Sequence, residues 1–469
     1  MKELRRNMRL IGILIIGAFS VLCIGYALTV YTQGSQWAST SYNSRSQSSN
    51  SLRGDITDRN GVVLATTDEE GNRQYLKNEA ARRALSQTVG DIRGMSGTGV
   101  ETFHSSTLMD ISTSLAGRIT ELISGSRHVG NSIQLTIDAQ LQAYVSSIFP
   151  EGYDGAVCII NYKTGEILAM VSKPDYDPAA ILTRKEAADE VEDTAYLNRC
   201  LQGLYTPGSV FKIVTLASAL EHDPAVVSQQ FTCSGIWEFG SSKVNCAGNT
   251  SHGQVGLKKA FAKSCNVTFG KLAYMLGEER LRSTAETFGF NENFKFGDFI
   301  IYNSKFPASM AGDADLVWSG VGQGTVLVTP LHMAMIAASV ANDGVMMQPW
   351  LVKSTADAGG EQLTQGGAKA YKRIMSSEVA GTIASYMLEA VKTGTASKAA
   401  ISGYNVCGKT GSAEISDDKS VQTNAWYVGF VYDEAHPYAI SVVIEEAGAG
   451  GSQAAPIAAK ALKKAIELN

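Results

Sequence analysis

Residues 10–31 form an apolar run of 22 residues without a charge, and no other feature restricts so tightly what this chain can fold into. Backbone N–H and C=O groups in hydrocarbon find partners only in one another, so a run able to cross about 30 Å of bilayer is held to a helix. Lys2, Arg5, Arg6 and Arg9 precede it. By the positive-inside tendency they keep residues 1–9 in the cytoplasm and put the remainder outside. A cleaved signal peptide is the competing reading, but the run is long for one and no clear Ala-x-Ala site follows. Residues 32–51, rich in Ser, Gln and Asn, cannot bury a core and read as a juxtamembrane linker. What remains of the 469 residues is enough for two soluble units, and a net charge of -5 argues against a nucleic-acid surface.

The chemistry starts at Thr206-Pro207-Gly208-Ser209-Val210-Phe211-Lys212, which runs into Ile213-Val214-Thr215-Leu216-Ala217-Ser218-Ala219-Leu220. Pro207 and Gly208 break the chain and the apolar stretch behind them reads as a buried helix. Ser209 therefore falls in the first turn with Lys212 on the same face. The positive end of that helix favours an alkoxide and disfavours a protonated Lys212, so the serine can become nucleophilic without a histidine. Ser-x-x-Lys alone is a cheap pattern. It recurs at Ser416 to Lys419, in an acidic stretch with no helix start, where a solvated loop is the simpler account.

Two later elements supply context. Ser264-Cys265-Asn266 follows the helical pattern of residues 257–263. A hydroxyl there can relay a proton between a lysine base and a leaving amine, and the Asn amide can both donate to and accept from a substrate peptide bond. Ser41-Tyr42-Asn43 and Ser48-Ser49-Asn50 match the same pattern inside the polar linker, where it means little. Lys409-Thr410-Gly411-Ser412 lies between strand-like segments, so its Lys and Thr can line a sheet edge facing the Ser209 helix, while Gly411 lets a substrate backbone come close. Lys-Thr-Gly occurs three times. At Lys163 it sits between two strand-like runs and reads as a hairpin turn. At Lys392 it ends a helical pattern, where Gly is a terminator and Lys suits the negative helix end.

Ser-x-x-Lys, Ser-x-Asn and Lys-Thr-Gly in this order resemble the motif triplet of the penicillin-recognising serine acyltransferases. Arg53-Gly54-Asp55-Ile56-Thr57-Asp58-Arg59-Asn60-Gly61-Val62-Val63-Leu64-Ala65 looks like the first box of class B penicillin-binding proteins. Residues 155–171 look like the opening hairpin of their transpeptidase domain, and Asn198-Arg199-Cys200-Leu201-Gln202-Gly203-Leu204-Tyr205 leads into the serine as the family's segment does. Gly322-Gln323-Gly324 with Val328-Thr329-Pro330-Leu331 matches a later box. The likeness spans nearly the whole chain and is weakest over residues 66–130.

The expected architecture is α+β: cytoplasmic tail 1–9, transmembrane helix 10–31, linker 32–51, a small pedestal 52–150 and a transpeptidase domain 151–469. The pedestal is short for the class. It should end in a strand over 133–138 and a helix over 139–149. Strands at 155–162, 167–172, 404–410, 425–432 and 438–445 should build an antiparallel sheet, flanked by helices such as 258–276, 331–341 and 454–468. Cysteines number seven. Cys158 and Cys407 read as small buried hydrophobes. Cys265 has no local histidine or charged partner to make it a nucleophile. Cys233 and Cys246, in a Gly/Ser-rich loop, are candidates for a disulfide. With His252 they make a poor zinc site, two Cys and one His without CxxC spacing, and no metal or cofactor is expected.

The resemblance implies a mechanism. Lys212 deprotonates Ser209, which attacks a peptide ending in D-Ala-D-Ala, and the backbone N–H groups of Ser209 and Ser412 hold the oxyanion. Ser264 passes a proton to the departing D-Ala, Asn266 holds the acyl side chain, and Lys409 with Thr410 binds the terminal carboxylate. An amine of a neighbouring stem peptide then takes the acyl group, cross-linking peptidoglycan, and β-lactams block Ser209. Ser412 stands where the family usually has Thr and keeps the hydroxyl. A D,D-carboxypeptidase would use the same residues with water as acceptor. A class D-like β-lactamase or sensor would not need the 53–65 box, and a non-catalytic scaffold would not need three intact motifs. The likeness also implies a membrane glycan polymerase as partner, since nothing here resembles a glycosyltransferase domain.

Overall fold

The computed structural model describes residues 2–38, 51–110, 127–183, 191–416, 418 and 420–468. The apolar run lies in one helix, Lys2–Ala38, whose segment Arg6–Tyr26 has a mean hydropathy of 2.3 and is nowhere buried. This helix continues past residue 31 into the stretch read as linker, and most of that linker falls outside the described residues.

Gly155–Asn161 and Ile167–Lys173 form an antiparallel hairpin. Its turn holds Lys163-Thr164-Gly165: the Asn161 side chain accepts from the N–H groups of Lys163 and Thr164, and Gly165 sits at φ 83°. That is the structural role expected of this copy of the motif. The hairpin joins Tyr438–Ile444, Asn424–Val431 and Val406–Ala413, giving a five-stranded antiparallel sheet with Val406–Ala413 at one edge. Every residue of Asn424–Val431 and Tyr438–Ile444 is buried. Strands covered on both faces read as continuous apolar runs, and helices Pro330–Ala341 and Ala454–Leu468 both pack against Tyr438–Ile444. Thr329 caps the first of these, accepting from the His332 N–H at 3.3 Å, and Pro330 occupies a first-turn position where no N–H is needed.

A second, six-stranded sheet has the order Gln362–Gln365, Val352–Ala356, Ser132–Leu135, Ile56–Thr57, Val63–Thr67, Arg73–Tyr75. Residues 352–365 thus complete the sheet begun by residues 56–135, although they lie far beyond residue 151 in the chain. The 53–65 box serves this region's architecture. Arg53 and Arg73 both pair with the fully buried Glu101, at 2.9 and 2.6 Å. The Asp58 carboxylate accepts from the N–H groups of Asn60, Val62 and Ala139, tying the box to the start of helix Ala139–Ile148.

The helix expected over 258–276 is broken. Leu257–Ala262 stops and Asn266–Thr287 begins after it, with Ser264 between them at φ 57°. Left-handed backbone at a non-glycine residue is sparsely populated, and strain of that kind concentrates at functional sites.

Candidate active site

Ser209 lies in a short 3-10 turn, Gly208–Phe211, that leads directly into helix Lys212–His222. Gly208 adopts φ 57° and donates to the Gly322 carbonyl at 2.8 Å; a Cβ on Gly208 would meet Ala413 Cα at 3.1 Å. A Cβ on Gly322 would lie 2.0 Å from the Gly208 oxygen. The Gly322-Gln323-Gly324 box therefore buttresses the serine turn from below. On the other side runs the edge strand Val406–Ala413: a Cβ on Gly411 would stand 2.9 Å from the Pro207 oxygen, and Trp426 Nε1 donates to the Thr206 carbonyl. Close backbone approach explains Gly208, Gly322 and Gly411, the first two of which also need left-handed φ.

Lys212 and Lys409 are both fully buried, and both reach the same residue. Lys212 Nζ donates to the Ser264 carbonyl at 2.8 Å, to its hydroxyl at 3.3 Å and to Asn266 Oδ1 at 2.6 Å. Lys409 Nζ donates to the Ser264 hydroxyl at 2.9 Å and to the Thr410 carbonyl at 2.8 Å. Left-handed Ser264 turns both its carbonyl and its hydroxyl toward the amines. The Nζ atoms also stand over aromatic faces, Lys212 at 5.4 Å from Phe269 and Lys409 at 5.7 Å from Phe261. Burial lowers the Lys212 pKa to about 8, and burial together with the charge of Lys212 pushes Lys409 well below an ordinary lysine.

Six of the expected site residues therefore stand in one assembly: Lys212, Ser264, Asn266, Lys409, Thr410 and Gly411. Ser209 lies half-buried beside it, and among the described residues none hydrogen-bonds its hydroxyl. Ser412 is exposed on the edge strand, its hydroxyl accepting from the Gly450 N–H at 3.2 Å. The Asn266 amide also donates to the Asn245 carbonyl at 2.8 Å.

Other copies of the motifs lie elsewhere. Ser416 is exposed and its hydroxyl accepts from the Asp418 N–H; Lys419 and the Ser41 and Ser48 matches lie outside the described residues. Lys392 ends helix Ser377–Lys392 as expected, but Gly394 is not in the left-handed region of a helix terminator. A Cβ there would stand 2.2 Å from the Ala262 oxygen, so close packing is the reason for that glycine. Just past this copy comes a residue the sequence reading missed: the Thr395 hydroxyl shares a 2.6 Å hydrogen bond with that of Thr410.

The thiols also differ from expectation. Cys233 and Cys246 are not joined, their sulfurs standing 3.7 Å apart. Cys265, read as having no histidine near it, lies with His252 in one cluster, yet it is fully buried and out of a substrate's reach.

Residues 155–463 match the family model of the penicillin binding protein transpeptidase domain. The peptidoglycan D,D-transpeptidase PbpA of Mycolicibacterium smegmatis is 30% identical over 443 residues, covering 88% of this chain and 89% of that protein. Among solved structures, penicillin-binding protein A from Mycobacterium tuberculosis as a ceftriaxone acyl-enzyme complex superposes with a TM-score of 0.81 at 28% identity, over 89% of this chain and 99% of that one. The D,D-transpeptidase domain of a peptidoglycan glycosyltransferase from Eggerthella lenta gives 0.75 at 29% identity, over 90% and 99%. With the fold, the three motifs brought together and a match over most of its length, the chain belongs to the penicillin-binding protein transpeptidase family, in its class B branch.

Proposed function

We propose that the chain is a serine-type peptidoglycan D,D-transpeptidase that cross-links stem peptides and is acylated by β-lactams. The observation that carries this reading is the convergence of Lys212 and Lys409 on Ser264 beside the Ser209 turn. It is supported by relatives named peptidoglycan D,D-transpeptidase and by a similar structure trapped as a β-lactam acyl-enzyme.

Neutral Lys212 takes the Ser209 proton as the oxygen attacks the carbonyl carbon of the penultimate D-Ala. Backbone N–H groups of Ser209 and Ser412 would hold the oxyanion. When the C–N bond breaks, the proton passes from Lys212 through the Ser264 hydroxyl to the amine of terminal D-Ala. The 2.6 Å bond from Asn266 keeps Lys212 in line, and the remaining Asn266 N–H is left for the acyl side chain. The hydroxyls of Thr410 and Ser412 would meet the terminal carboxylate, with the Lys409 charge behind them. An acceptor amine then attacks the ester and loses its proton to Lys212, which returns it to the Ser209 oxygen as the acyl–oxygen bond breaks, freeing Ser209.

The N-terminal helix fits a single-pass anchor in the bacterial cell membrane, with the N-terminus cytoplasmic and the catalytic unit on the outer side; a membrane glycan polymerase would supply the glycan strands. Protease added outside cells stripped of their wall should digest everything from residue 32 onward, and protection of that region would refute this topology.

The deciding experiment is labelling of the full chain in detergent with a fluorescent penicillin, followed by product analysis of a D-Ala-D-Ala peptide with and without an acceptor amine. The label should sit on Ser209, vanish in Ser209→Ala and persist in Ser416→Ala. An adduct on Ser416 or Cys265 overturns the mechanism, and hydrolysis with no transfer to the amine makes the enzyme a carboxypeptidase.

A further inference from the structure

We propose that Gln323 is a positioning residue that sets the gap of the oxyanion hole, tying the strand that carries the Ser412 N–H to the turn that carries the Ser209 N–H. The inference rests on the transpeptidase reading above, in which those two N–H groups meet the developing oxyanion. They belong to separate elements, the 3-10 turn Gly208–Phe211 and the edge strand Val406–Ala413. Neither element by itself fixes the distance between them.

Helix Asp313–Gly320 supplies the tie. It ends in a Schellman motif: Gly322 adopts φ 83° and its N–H meets the Ser319 carbonyl at 2.9 Å, while the Gln323 N–H reaches back to the Trp318 carbonyl at 2.9 Å. This cap holds two consecutive residues in place, and each grips one half of the hole. The Gly322 carbonyl accepts from the N–H of Gly208, one residue before Ser209, at 2.8 Å. The Gln323 carboxamide, oriented so that donor meets acceptor, bonds both backbone groups of Glu414, two residues beyond Ser412. Its nitrogen donates to the Glu414 carbonyl at 3.3 Å and its oxygen accepts from the Glu414 N–H at 3.1 Å.

The physical need arises where the ladder ends. Pairing of Val406–Ala413 with Asn424–Val431 stops at Ala413 opposite Asn424, and among the described residues no strand flanks the outer edge. Glu414 is the first residue past the ladder. A carboxamide carries the same donor and acceptor as a peptide group, so Gln323 stands in for a strand neighbour there. The fold uses the same device at the opposite edge of this sheet: Gln142 Nε2 donates to the Met170 carbonyl at 2.8 Å, and Gln142 Oε1 accepts from the Met170 N–H at 2.7 Å. At the Ser412 end the clamp bears on catalysis, because a misplacement of about 1 Å at a reacting centre costs on the order of 10² in rate. Among the described residues Gln323 hydrogen-bonds neither lysine of the site nor Ser264, so it acts through the strand.

The test compares the full chain in detergent with Gln323→Ala and Gln323→Met, the second filling the volume without a donor or acceptor. Stopped-flow labelling with penicillin separates the dissociation constant of the first complex from the acylation rate constant. The rate constant should fall about ten- to a hundredfold in both variants while the dissociation constant stays within about threefold, the mark of an interaction made in the transition state. The pH at which acylation levels off should stay at the wild-type value, because Lys212 keeps its partners. Infrared difference spectra of the acyl-enzyme give a readout that loosened packing alone would not move. Hydrogen bonds to the ester carbonyl lower its stretching frequency, so the band should shift to higher frequency in either variant. Should Gln323→Ala fail to fold, Gln323→Met still decides. Acylation within about twofold of wild type, a loss confined to the dissociation constant, or an unmoved carbonyl band each overturns the positioning role. A wild-type chain that penicillin does not label overturns the transpeptidase reading itself, and this inference with it.

Discussion

Lys409 donates to the hydroxyl of Ser264 at 2.9 Å across a sequence separation of 145 residues. Lys212 reaches the same hydroxyl at 3.3 Å, so one oxygen lies between two buried amines. Two ammonium groups so placed repel each other, and a hydroxyl that can accept from either and donate to a neutral one gives a proton a path along this line. Ser264→Ala should therefore cut penicillin acylation by about 10² while leaving the melting temperature near wild type. An acylation rate within a factor of a few of wild type would remove Ser264 from the proton path.

The pH dependence follows from burial of Lys212, which lowers its pKa to about 8. The working base is the neutral amine. Acylation by penicillin should therefore rise about tenfold per pH unit below about pH 8 and level off above it. Lys212→Arg stays charged throughout and should be inactive at every pH. Stability moves in the same direction for this residue: between about pH 8 and the ordinary 10.5 the unfolded chain holds a proton that the folded chain does not, so rising pH favours folding there. Stopped-flow acylation across this range is the measurement, and a rate that falls through pH 8 would show that Lys212 is not the base.

Three copies of Lys-Thr-Gly separate cleanly by place. Lys409→Ala should cripple acylation and peptide turnover, since it removes the buried amine that Ser264 accepts from. Lys163→Ala changes a hairpin turn, and Lys392→Ala changes a helix end, so both should acylate at close to the wild-type rate. A folded Lys392→Ala protein as damaged as Lys409→Ala would reverse the assignment of the third motif.

Glu101 is fully buried between Arg53 and Arg73. Glu101→Gln leaves two guanidinium groups without their counter-charge, which at a buried site costs on the order of 3–5 kcal/mol. Calorimetry should show an earlier unfolding transition. Penicillin acylation measured below that transition should hold, because the pair belongs to the N-terminal sheet region and touches nothing at Ser209.

Local signals reached far in this chain. The charge-free run dictated a helix because backbone groups in an apolar setting must satisfy one another, and Pro207-Gly208 before an apolar stretch marked the start of the Lys212–His222 helix. Strand-like runs around residues 155–171 and 404–445 located the five strands of the main sheet, since apolar runs bounded by turn residues are read over a few positions at a time. Motif order identified the family. What lay outside the sequence's reach were relations between distant segments. Periodicity carried 258–276 as one helix, yet the chain breaks at Ser264 so that its carbonyl and hydroxyl can meet amines from two other elements. Residues 352–365 join a sheet begun near residue 56 because strand pairing is set by tertiary packing, which leaves no periodic trace in either partner. The shifted base at Lys212 has the same origin: a lysine's pKa follows its desolvation, and desolvation exists only once the fold has closed over it.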